Sequence, residues 1–149
     1  MASGISVVIA DRKRVARVSY SKQLQPDKGI RVVAEAGTRR EVLRVLKLKP
    51  RVLLLDSKIA AMNETPLLPL LRRLSPQTKV ILLTTGMHPL SMLVWLSQGA
   101  KGYLDRERVG ASLPKAVRVV DEGEVWVSRA IVPLLITALS RMTLSSQGG

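Results

Sequence analysis

The chain has 149 residues, a formal net charge of +13, 46% apolar residues and 3% aromatics, with no cysteine and no phenylalanine. This length suits one domain with a sizeable core, and the missing thiols exclude disulfides, thiolate metal sites and a cysteine nucleophile. The core has to come from Val, Ile, Leu, Met and Ala, and the positive charge implies either solvated basic faces or acidic partners.

In chain order, residues 1–4 show no apolar run behind a basic stretch, so no signal peptide is expected. Residues 5–10 are strand formers, and residues 13–24 should be a first helix with a thin apolar stripe. A second strand is expected over 31–36. Val42, Leu43, Val45 and Leu46 then recur at helical spacing, with Arg40, Arg44 and Lys47 on the other face. Val52-Leu53-Leu54-Leu55 is continuous and apolar, as a strand buried on both faces should be. A leucine-rich helix over 67–74 is entered near Pro66 or Pro69, which a first helical turn tolerates. Val80-Ile81-Leu82-Leu83 repeats the buried-strand pattern, Pro89 opens a helix over 90–98, and Gly102-Tyr103-Leu104 stands where a fifth strand would come. Ser112 is expected to cap a helix carrying Leu113, Ala116, Val117 and Val120, and Gly123 suits its end. Residues 124–127 could be a short extended piece. From Ser128 a helix with Ile131, Leu134, Leu135 and Leu139 should start or kink at Pro133, and residues 144–149 should fray. The longest apolar stretches, near 90–96 and 131–139, fall short of the roughly 18 residues a membrane span needs, so no membrane contact is expected. The lack of cysteine fits a cytoplasmic protein.

Alternating strands and helices argue for an α/β protein with a parallel sheet, whose active residues lie at the carboxyl ends of the strands. That rule selects Asp11, Asp56, Thr84 and the pair Asp105-Arg106. Two carboxylates brought to one sheet edge repel, so such a site holds a cation or shifts a pKa. Hard oxygen ligands suit Mg2+, and an aspartate beside that ion can attack a phosphoryl group. No glycine-rich phosphate loop follows the first strand; Arg12-Lys13-Arg14 stands there, which argues against a nucleotide- or flavin-binding enzyme.

Ile9-Ala10-Asp11, Leu53-Leu54-Leu55-Asp56, Leu82-Leu83-Thr84-Thr85 and Gly99-Ala100-Lys101-Gly102-Tyr103-Leu104, in that order, resemble a receiver domain of bacterial two-component response regulators. Glu35-Ala36-Gly37 and Gly123-Glu124-x-Trp126-x-Ser128 are similar to the NarL/LuxR-type subgroup. The resemblance implies a flavodoxin-like (CheY-like) doubly wound sheet of five parallel strands in the order 2-1-3-4-5, followed by a C-terminal linker helix. It implies a receiver domain over 1–127, with linker helix and tail over 128–149. By the same resemblance Asp56 matches the phosphoacceptor. Asp11 and the backbone carbonyl of Lys58 join Asp56 as ligands of Mg2+, the one cofactor implied. Thr84 and Tyr103 match the switch pair, and Arg106 stands where the family has a lysine. A sensor histidine kinase is the implied donor, and DNA is the implied target of a C-terminal domain absent from this chain. The polar end of the chain suits a cut within a linker. Homodimerisation is expected through the apolar helix that carries Met92, Leu93, Trp95 and Leu96.

The family's second acidic residue is replaced by Arg12, whose guanidinium could neutralise Asp56 and oppose Mg2+. The loop after Asp56 reads Ile59-Ala60-Ala61-Met62-Asn63-Glu64, without the family's Pro and Gly, which changes how it turns. The function expected is therefore an atypical receiver in phosphorelay signalling. It would be the regulatory part of a LuxR-type transcription regulator, acting through dimer or interdomain contacts and carrying no enzymatic role. The alternatives are a conventional receiver phosphorylated at Asp56, or a basic nucleic-acid-binding module.

Overall fold

The computed structural model describes residues 4–61, 66–86, 88–129 and 132–147. Five strands, β1 (Ile5–Ala10), β2 (Ile30–Ala36), β3 (Val52–Asp56), β4 (Lys79–Thr84) and β5 (Gly102–Asp105), form one parallel sheet ordered β2-β1-β3-β4-β5. This is the order the family resemblance implies. Helices α1 (Arg14–Leu24), α2 (Arg39–Val45), α3 (Ser57–Ala61), α4 (Leu67–Leu74), α5 (Pro89–Ser97), α6 (Leu113–Asp121) and α7 (Val132–Gln147) surround it.

Side chains alternate across a strand, so a strand with no polar residue supplies both faces of a sheet. Leu53 and Leu55 of β3 join Val8, Leu82 and Tyr103 beneath α2, α3, α4 and α5, where Val42, Ile59, Leu68, Leu71 and Met92 are buried. Leu54 joins Val7, Ile9, Ile81 and Leu83 on the opposite face, against Tyr20 and Leu24 of α1 and Leu113, Val117 and Val120 of α6. The thin stripe of α1 is real: only Tyr20 and Leu24 of that helix are buried.

Local chemistry sets several boundaries. The Thr38 hydroxyl accepts from Glu41 N at 3.2 Å at the start of α2, while the Glu41 carboxylate accepts from Gly37 N at 2.8 Å. Gly123, just past the end of α6, has φ +99°, a region glycine enters without steric cost. Pro66 occupies the N-cap position of α4 and Pro89 the first turn of α5, as expected.

Other expectations need correction. Ser112 does not cap α6 by its side chain; its hydroxyl donates to Val109 O at 2.7 Å within a preceding 3-10 turn. Ile59, Ala60 and Ala61 lie in the helical turn α3 rather than in a loop, while Met62, Asn63 and Glu64 fall outside the described residues. Ser128 is not helical, Ile131 lies outside the described residues, and α7 is helical through Gln147, where fraying was expected. The extended piece is confined to Trp126, which bridges Gly102 in parallel and extends the sheet beyond β5. Leu135 of α7 packs against the core and Ala138 is buried. Leu134 and Leu139 stay exposed.

Candidate functional site

Strands β1 and β3 are hydrogen-bonded neighbours, so their carboxyl ends bring Asp11 and Asp56 together although 45 residues separate them in sequence. Both carboxylates are fully buried. Each is fastened first by its own backbone: Lys13 N donates to Asp11 Oδ1 at 2.8 Å, and Lys58 N donates to Asp56 Oδ1 at 2.9 Å.

Two arginines complete the pocket. Arg12 Nε donates to Asp56 Oδ2 at 3.1 Å, and Arg12 N reaches the same oxygen at 3.4 Å. Arg106 sits in a 3-10 turn that follows β5 directly, with Asp105 accepting from Glu107 N at 3.0 Å to hold that turn. Its fork spans both acids: Nη1 lies 3.2 Å from Asp56 Oδ1, and Nη2 lies 2.9 Å from Asp11 Oδ2 and 3.2 Å from Oδ1. Among the described residues Asp11 Oδ2 makes no hydrogen bond, so Arg106 meets it as a charge contact rather than along an N–H direction. Two carboxylates facing two guanidiniums form a neutral cluster, the arrangement a buried site needs if its charges are to remain ionised.

Burial pushes the Asp11 carboxyl above its ordinary pKa; the Lys13 N–H opposes that, the Asp56 charge adds to it, and Arg106 opposes it. For Arg106 burial works against the charged form, but Asp11, Tyr20 and Asp56 together hold the guanidinium more firmly protonated than usual. The Tyr20 phenol, buried beside Arg106, is also raised by burial.

The expected site residues divide. Asp11, Arg12, Asp56, Lys58 and Arg106 meet at the pocket, with Lys58 presenting its N–H to Asp56. Thr84 ends β4 opposite Asp105, and its hydroxyl bonds neither carboxylate. Its neighbour Thr85 instead lines the open cleft of about 690 Å3 over the pocket, together with Arg12, Lys13, Lys58, Arg106 and Glu107. Tyr103 is buried, and its hydroxyl has no hydrogen-bond partner among the described residues. Of the surface residues expected on α5, Met92 is buried in the core, and Trp95 and Leu96 are partly buried against it. Leu93 is half-buried, and the large apolar side chains that α5 does expose are Leu90 at 63% and Val94 at 53%.

Tyr20 and Arg17 escaped the sequence reading. Arg17 Nη1 donates to the Asp11 carbonyl at 2.7 Å, and its Nε to Glu35 at 3.1 Å. Their three-residue spacing on α1 places both on one helix face, the only sequence signal that could have flagged them.

A family model described as the response regulator receiver domain matches residues 7–118. The chain belongs to this family. Receiver domains bind Mg2+ at the acidic pocket. Mg2+ demands near-octahedral oxygen coordination. In this chain every oxygen of both aspartates already faces an N–H donor or a guanidinium. Among the described residues no group of three or more metal-ligating side chains is placed to hold an ion. The residues present do not fit the metal.

The receiver is of NarL type. It is 26% identical over 135 residues to the nitrate/nitrite response regulator protein NarL of Escherichia coli (strain K12), covering 90% of this chain and 62% of the relative. It is 31% identical over 135 residues to the oxygen regulatory protein NreC of Staphylococcus epidermidis, covering 89% and 62%. A solved signal receiver domain of a response regulator NarL from Mycobacterium tuberculosis superposes with a TM-score of 0.74 at 26% identity, covering 82% of this chain and 99% of that one. The chain thus spans 62% of the length of the curated relatives named here. Among the described residues no helix is long and apolar enough to cross a membrane.

Proposed function

We propose that this receiver regulates its output without phosphorylation of Asp56, as the cytoplasmic regulatory part of a LuxR-type transcription regulator. The domain is a switch element with no turnover of its own, and DNA is contacted by a partner domain of the same regulator. One observation carries this reading: Arg106 spans Asp11 and Asp56, and Arg12 holds the remaining Asp56 oxygen. A nucleophilic carboxylate attacks phosphorus with an oxygen lone pair, and here both Asp56 oxygens already accept hydrogen bonds, from Arg12 Nε and Lys58 N, which lowers their nucleophilicity. Arg12 and Arg106 already balance the two carboxylate charges, so the pocket holds no excess positive charge for an incoming phosphoryl group to meet.

Control then passes to protein contacts. Pro89 and Leu90 on α5 border a groove of about 520 Å3 completed by Leu134, Ala138 and Met142 of α7, and Val94 is exposed elsewhere on α5. This apolar surface supports homodimerisation through α5 and α7. A sensor kinase, if one is a partner, acts by docking rather than by phosphoryl transfer.

The test is intact-mass spectrometry after incubation with phosphoramidate and Mg2+, beside an Asp56→Asn control. The reading expects the unmodified mass for both proteins. A single phosphoryl adduct on the native chain that vanishes in the control would establish the conventional receiver instead.

A further inference from the structure

We infer that Arg12 is a built-in replacement for a divalent cation, and that this single side chain decides whether the pocket is a metal site. The inference rests on the receiver reading of the pocket but not on whether Asp56 is phosphorylated.

Three observations carry it. The first is charge. Asp11 and Asp56 face Arg12 and Arg106, so the cluster is neutral as it stands. A divalent ion added to it would bring two uncompensated positive charges into a buried site, which the low local dielectric makes costly. Arg12→Asp reverses the balance: three carboxylates would face one guanidinium, a deficit of two that one divalent ion fills.

The second is position. Arg12 N lies 3.4 Å from Asp56 Oδ2, so the backbone of residue 12 is held against the Asp56 carboxylate whatever side chain it carries. A short carboxylate there would project beside the two existing ones. The long guanidinium instead folds back so that Nε lies 3.1 Å from Asp56 Oδ2, in the space where an ion would bond that oxygen.

The third is access. The two aspartates are fully buried, whereas the Arg12 side chain is 42% exposed and lines the open cleft above them. It stands beside Asp56 on the wall of that cleft. Removing it opens a path from water, which suits Mg2+ because that ion keeps several of its waters when bound.

The experiment measures metal binding directly, with no phosphoryl donor present. Native protein, Arg12→Asp and Arg12→Asp/Asp56→Asn are titrated with Mn2+ by electron paramagnetic resonance of the free ion. Their thermal unfolding is then compared with and without millimolar Mg2+. Native protein should leave the Mn2+ signal and its own Tm unmoved. Arg12→Asp should deplete free Mn2+ and gain about 3–6 °C once Mg2+ stands roughly ten-fold above its Kd, and the double variant should lose that gain. Native protein that binds Mn2+ within about ten-fold of Arg12→Asp would overturn the inference. So would a folded Arg12→Asp that binds none. If Arg12→Asp does not fold, Arg12→Asn replaces it; it clears the guanidinium and keeps an oxygen donor, so a smaller gain of the same sign is expected and its absence counts against the inference. The two readings fail separately. A native chain that binds metal yet takes no phosphoryl group ends only the inference, whereas a phosphoryl adduct on the native chain ends the proposed function.

Discussion

Arg106→Met isolates what the bridging guanidinium does, because Met keeps much of the side chain's length and removes only the charge and its donors. Arg106 is 15% exposed and touches two carboxylates that are fully buried. Removing one partner of a buried ion pair costs about 3–5 kcal/mol, since the other charge stays desolvated. Asp56 retains Arg12 and the Lys58 N–H, whereas Asp11 retains only the Lys13 N–H. The lower end, about 3 kcal/mol, therefore applies, and in a chain of this size it corresponds to a Tm loss of about 6–12 °C near neutral pH. The pH dependence has a definite sign. The folded-state pKa of Asp11 is already raised by burial, and the variant loses the two influences of Arg106 that oppose this. A carboxyl with a raised folded pKa takes up its proton in the folded state before the unfolded chain does, so acidification favours folding. The deficit against the native protein should thus shrink as the pH falls from neutral toward the ordinary carboxylate range. Circular dichroism melts of both proteins across that range measure it. A loss under about 2 °C at neutral pH, or a deficit that widens on acidification, would refute the claim that Arg106 neutralises the buried pair.

Other expectations are more local. A Cβ on Gly102 would come within 2.9 Å of Ile81 Cγ1 in the neighbouring strand, so Gly102→Ala should cost about 1–3 kcal/mol in denaturant unfolding. It should also alter Trp126 fluorescence, because Trp126 bridges residue 102. Thr38→Ala removes the side-chain cap of α2 and should cost about 1 kcal/mol in the same unfolding experiment. Val94→Glu and Leu90→Glu alter exposed positions and should change stability by no more than about 0.5 kcal/mol. Either should nonetheless shift the protein toward monomer in light scattering if the α5 surface pairs two copies.

The architecture was legible in the sequence because a buried parallel strand has a one-dimensional signature. Runs such as Val52-Leu53-Leu54-Leu55 leave no face for water, and the residue that ends such a run lies at the functional edge of the sheet. Asp11 and Asp56 could therefore be placed at one edge of the sheet, and Gly123 at the end of a helix, from local rules alone, whereas the order that makes their strands neighbours came from the family resemblance. The partners of those carboxylates were different in kind. Arg12 and Asp56 are 44 positions apart and Arg106 and Asp11 are 95 apart, so which guanidinium meets which oxygen depends on how the strand ends converge. No periodicity encodes that. Helix α5 shows a second reason. Leu90, Met92, Leu93, Val94, Trp95 and Leu96 surround it almost evenly, so its composition carries no directional signal. Packing on the sheet decided that Met92 faces inward and that Leu90 and Val94 face out. The sequence by itself determined the strands, their carboxyl-end acids and the arginine that follows the first of them. Only the tertiary structure decided that this arginine and Arg106 together neutralise the pocket, because that outcome depends on distances between atoms brought together by separate strands.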